Sequence, residues 1–84
     1  MGKGKAVWTF EDCAADAARR AAAASAEAAF LTHIAEDAMC PVARGMATRS
    51  ASDQCHLAAE YRRRQVAFNK WGRELCELRE LRAL

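Results

Sequence analysis

A chain of 84 residues is long enough for one small domain and no more. At 52% hydrophobic and 29% charged it belongs with folding rather than disordered sequences, and a net charge of +2 is too small to mark a nucleic-acid binder. Alanine supplies 21 residues and aromatics only six, so a core built from this chain alone is thin and calls for disulfides, a metal or a partner.

Charge is divided unevenly: residues 1–42 hold four basic and six acidic residues, residues 43–84 nine and five. Opposed signs suit two helices lying against each other, or a basic half facing an acidic partner. The apolar stretch within 13–35 is interrupted by Asp16, Arg19, Arg20 and Glu27, so no membrane span is expected. The basic start Met1-Gly2-Lys3-Gly4-Lys5 leads into Glu11, Asp12 and Asp16, which is not a secretory signal. Gly2 fits an N-terminal acylation motif only in part, because Ala6 stands where that motif carries Ser or Thr.

In chain order, Thr9 reads as a helix N-cap, with Asp12 completing a capping box and Trp8 placed to staple onto Cys13. Helix one is expected over about 9–39, ending before Pro41 because the residue preceding a proline resists helical geometry. Residues 41–49, PVARGMATR, are expected to form the turn. Ser50 is then the cap of a second helix over about 51–81. Gly72 within it marks either a tolerated weak spot or the close approach of another backbone. Phe68, Trp71, Leu75 and Leu78 step by three, four and three, making one apolar stripe. The expected fold is all-α: an antiparallel two-helix hairpin, stapled by disulfides, in a single domain of residues 1–84.

Cys13, Cys40, Cys55 and Cys76 fall two to a helix, one near each end. Folding the hairpin brings inner near inner and outer near outer, which favours Cys40–Cys55 and Cys13–Cys76 among the three possible connectivities. Helical phase strains this pattern, and relief requires Cys40 beyond the last turn or a bend near Ser25 or Thr32. Free cysteines in a reduced protein remain an open alternative. So does zinc gathered by His33, Cys40, Cys55 and His56, although no CxxC or HxxxH pair is present.

Two cysteines on each of two antiparallel helices, bridged first to fourth and second to third, resemble the twin-CXnC, coiled-coil-helix-coiled-coil-helix proteins of the mitochondrial intermembrane space. The resemblance covers 13–76 as architecture, with longer spacing between the cysteines than the family has. It implies an oxidising compartment, import without a cleaved presequence, and a place as a structural accessory subunit of a respiratory-chain complex, bound to other protein subunits and reaching the membrane only through them.

No residue set supports catalysis: the acidic pairs Glu11/Asp12 and Glu36/Asp37 diverge on a helix, and no Ser/His/Asp arrangement or phosphate loop is present. No cofactor is expected. Trp8, Phe10, Phe68 and Trp71 are the expected partner-binding residues, too large and too few to form a core of their own. The alternative reading is a small reduced module that binds nucleic acid or a regulatory protein. Arg62, Arg63 and Arg64 are its candidate contacts, but consecutive helical residues fan too widely to form one phosphate-facing row.

Overall fold

The computed structural model describes residues 8–83, so the acylation reading at Gly2 lies outside the described residues. Two helices, α1 (Phe10–Asp37) and α2 (Pro41–Ala83), pack against each other as a hairpin. No strand occurs among the described residues.

Helix α1 starts as its sequence dictates. The Thr9 hydroxyl accepts from the Asp12 N–H at 3.1 Å, and the Asp12 carboxylate accepts from the Thr9 N–H at 3.0 Å. These reciprocal bonds satisfy backbone donors that the first helical turn leaves free. They also hold the Asp12 carboxyl below its ordinary range, so this cap is intact above the usual carboxylate pKa and weakens as pH falls through the lowered one. Ser25 and Thr32 do not break the helix. The Thr32 hydroxyl donates back to the Ala28 carbonyl at 2.8 Å, and Ser25 accepts from Arg62 across the hairpin at 2.6 Å.

The connection differs from the expected one. It consists of Ala38, Met39 and Cys40, and the expected turn residues 41–49 instead open α2. Pro41 begins a helix rather than ending one, because its fixed φ and missing N–H suit the first helical position. Cys40 takes the N-cap place, its carbonyl accepting the first helical bond from the Arg44 N–H at 3.0 Å. The Arg44 guanidinium reaches back 2.8 Å to the Ala38 carbonyl, placing positive charge at the C-terminal end of α1. With α2 already running, Ser50 is an interior helical residue and not a cap.

The two helices meet along a seam of alanines. On α1 the buried residues are Ala14, Ala17, Ala21, Ala24, Ala28 and Ala35; half-buried Leu31 completes a run of alternating three- and four-residue steps. On α2 the same alternation runs through Ala47, Ala51, half-buried Gln54 and Ala58, then half-buried Tyr61, Gln65, Phe68, Gly72 and Leu75. These are the a and d positions of an antiparallel coiled coil. No side chain larger than alanine is buried among the described residues. Such a seam lets the helices approach toward the short end of the usual 8–10 Å separation.

Gly72 is where a bulky residue of α1 enters the seam. A methyl group added there would lie 3.3 Å from the Phe10 Cβ, so the glycine marks a close approach. Phe10 belongs to the first turn of α1, and helix ends give more readily than helix interiors. Gly72→Ala is therefore expected to be stabilising by up to ~1 kcal/mol through helix propensity. Gly72→Val, which adds branched bulk against Phe10, is expected to lower the midpoint of urea unfolding. A destabilised Gly72→Ala would show that Phe10 cannot move.

The seam also decides the cysteines. Cys40 caps the start of α2 and Cys55 lies within it, fifteen positions along, which corresponds to about 22 Å of rise. A disulfide needs Cα atoms within ~7 Å, so the Cys40–Cys55 staple does not form. Cys13 and Cys76 both lie near the open end but flank the seam on opposite edges. Cys13 shares a depression with Arg20 and Arg64, whereas Cys76 shares another with Glu11 and Asn69. All four thiols are free, and three of them are exposed.

Candidate interaction surface

In a heptad frame, the positions beside the seam define two lateral faces. On one face lie Ser25 of α1 and Arg62 of α2, joined by their hydrogen bond. On the other lie Arg20 of α1 and Arg64 of α2, whose guanidiniums sit 5.9 and 5.1 Å from the Tyr61 ring centroid. We call the second the front face. The guanidinium of Arg20 is held by Asp16 at 2.8 Å and that of Arg64 by Glu60 at 3.1 Å. The hydrogen bond to Asp16, and after it the nearness of Tyr61, raise the Arg20 pKa, so its charge persists at any working pH.

The two faces differ in what they expose. Front positions carry Phe30 and Ile34 on α1 and Met46, Leu57, Trp71, Leu78 and Leu81 on α2, all exposed. Trp8, 61% exposed, joins them through its depression with Cys13, Arg20 and Tyr61. The rear face carries alanine, serine, threonine, asparagine, charged residues and the exposed thiols of Cys55 and Cys76, with Val66 as its one large exposed hydrophobic among the described residues. Met39 and Val42 lie at the hairpin tip.

Of the four expected partner-binding residues, three gather at the open end. Trp71 has its ring centroid 6.1 Å from Phe10 and 5.7 Å from Phe68, the second pair edge-on. Phe10 and Phe68 are half-buried and form the base of the cluster, leaving Trp71, 47% exposed, as its outward ring. The expected stripe is thus split. Phe68 and Leu75 turn toward α1, while Trp71 and Leu78 face solvent on the front. Phe30, Ile34, Met46 and Leu57 join the surface without being among the expected contact residues. Their heptad offsets from the alanine seam are the signal in the sequence that places them there.

The zinc set does not assemble, because Cys40 lies far along α2 from Cys55 and His56, while His33 faces Asp37 at 3.5 Å. No group of three metal-binding side chains occurs among the described residues. No helix among them is long and apolar enough to cross a membrane. Two of the three consecutive arginines are engaged within the hairpin, Arg62 with Ser25 and Arg64 with Glu60 and Tyr61.

Cys40 is chemically the most distinctive thiol. Its place at the head of α2, beside the backbone N–H groups of Ala43 and then Val42, lowers its pKa from the ordinary 9.0. A helix N-terminus favours the thiolate in this way. The thiolate's contribution to folding is full above pH 9.0 and is lost as pH falls through the lowered value. Iodoacetamide labelling near pH 7, followed by peptide mass mapping, is expected to modify Cys40 before Cys55 and Cys76. Equal rates at the three sites would show that the cap does not hold the thiolate.

Fold and surface together define a class: a helical hairpin closed by an alanine seam, with one apolar lateral face. No family model matches the chain, and neither the curated proteins nor the solved structures contain a match to it.

Proposed function

We propose that this protein is a non-catalytic interaction module, a small helical piece that docks on another protein through its front face. The observation that carries the reading is the segregation of exposed apolar residues: among the described residues, eight of eleven large exposed hydrophobics lie on one lateral face. They form one group toward the tip, Phe30, Ile34, Met46 and Leu57, and one toward the open end, Trp8, Trp71, Leu78 and Leu81; apolar side chains gathered on one face in this way mark a contact site. The role is mechanical: the seam holds two helices at fixed separation, and the front face presents their side chains as one surface.

The narrower placement, as an accessory subunit of a mitochondrial respiratory complex, draws its support from nested disulfides. With Cys40 at the head of α2 and Cys55 within it that support is gone, and the proposal stops at the module. The nucleic-acid reading is also weakened, since Arg62 and Arg64 already have partners within the hairpin.

The test is capture of a stoichiometric protein partner by the full chain from its source cells. Trp71→Ser with Leu78→Ser is expected to abolish capture, and Val66→Ser on the rear is expected to preserve it. Undiminished capture by the front-face variant would refute the reading.

A further inference from the structure

Charge on the front face narrows the choice of partner. Among the described residues its positions carry Asp16, Glu27, Asp37, Asp53, Glu60 and Glu74 against Arg20 and Arg64. Both arginines are neutralised in place, by Asp16 and Glu60. Among the described residues Glu27, Asp53 and Glu74 form no ion pair; the helical spacing of Lys70 to Glu74 is present, but the contact is not made. The surplus is local, because the whole chain is +2 and Arg49, Arg63 and Lys70 lie on the outer edge of α2, away from the front.

We propose that the front face receives a basic amphipathic helix of a partner protein, its apolar stripe against the exposed hydrophobics and its Lys or Arg flanks against Glu27, Asp53 and Glu74. The inference rests on the interaction-module reading and deepens it. Area fits such an occupant. If each large side chain offers about 200 Å² when free, the eight residues at their exposures present on the order of 800 Å², and a standard interface takes roughly 800 Å² from each partner. Shape fits as well. A helix laid along the front packs as helices do in a bundle, crossing the paired Arg20 and Arg64 side chains that cover Tyr61. A second copy of this chain is disfavoured, because front-to-front pairing sets one acidic surplus against another. An anionic lipid surface is disfavoured for the same reason.

The experiment uses the full chain with two synthetic amphipathic peptides of about ten helical turns, enough to span the front from Met46 to Leu81, one of leucine and lysine and one of leucine and glutamate, read by tryptophan fluorescence and calorimetry. The Leu/Lys peptide is expected to bind at least about tenfold more tightly at low salt, and the preference to shrink as salt screens the charges. Glu27→Lys with Asp53→Lys and Glu74→Lys is expected to reverse the preference. The neutral set Glu27→Gln, Asp53→Asn and Glu74→Gln, milder toward the fold, is expected to erase it. The chain's own positive net charge works against a cationic peptide, so the preference cannot arise from overall attraction.

Equal binding of the two peptides would overturn the proposed charge complementarity and leave the docking reading standing. Failure to bind either peptide, with a dimer in sedimentation, would assign the face to a second copy. Tighter binding to vesicles of phosphatidylcholine and phosphatidylserine than to the Leu/Lys peptide would assign it to lipid. No binding to any probe by a monomeric chain would overturn both the proposal and the docking reading.

Discussion

Ala21→Leu is expected to destabilise the hairpin by about 2 kcal/mol, while Ala22→Leu, one residue along, changes stability by less than ~0.5 kcal/mol. Ala21 is buried in the seam and Ala22 is exposed. The chemistry of the two substitutions is identical, and only position differs. A leucine at 21 has no cavity to enter, because the opposing helix lies at alanine distance, so the helices must separate or the side chain must adopt a strained rotamer. For a domain of this size the loss corresponds to a fall of roughly 10 °C in melting midpoint. Circular dichroism melts of the two variants measure the contrast. Equal midpoints would mean that the seam is not where the helices meet.

Phe68→Ala is the second substitution of large effect, expected to be destabilising by about 2 kcal/mol. Truncating a fully buried phenylalanine costs ~3–5 kcal/mol, and Phe68 is half-buried. It also carries the edge-on contact to Trp71, and such aromatic pairs contribute about 1 kcal/mol beyond area. The effect is expected to be local first. Phe10 and the opening turns of α1 lose the ring cluster they rest on, so amide exchange should accelerate over 10–17 before it does near Ala47. Uniform acceleration along both helices would show instead that the hairpin opens as one unit.

Much of this architecture is legible in the sequence. The Thr9 and Asp12 side chains are a local device, needing only their own backbone, and the structure has them as expected. The antiparallel pair follows from two long runs without a strand pattern. The turn is misplaced when Pro41 and Gly45 are weighed as breakers. A proline is compatible with the first helical turn, and a single glycine costs less than the seam returns. Ser50 matches a cap motif, but such a motif has nothing to cap inside a helix already under way.

The apolar face is harder to see, because large residues are the natural candidates for a helix interface and here alanines occupy it. Alanine at three- and four-residue steps looks like generic helix composition until the period is counted. Once the alanines define the seam, Phe30, Ile34, Leu57 and Leu78 fall beside it by arithmetic. The cysteines mislead for a related reason. Their symmetry along the chain carries no heptad phase, and phase is what sets Cys13 and Cys76 on opposite edges.

A core of alanine methyls leaves the free chain little margin against unfolding. A partner that binds only the folded hairpin adds stability by mass action, roughly 2.7 kcal/mol at a hundredfold excess over its dissociation constant. Lifetime in the cell then becomes a property of the pair: copies that find a partner persist, and orphans unfold into the reach of proteases. Under the proposed docking, the amount of this protein would in that way be metered by the abundance of its partner.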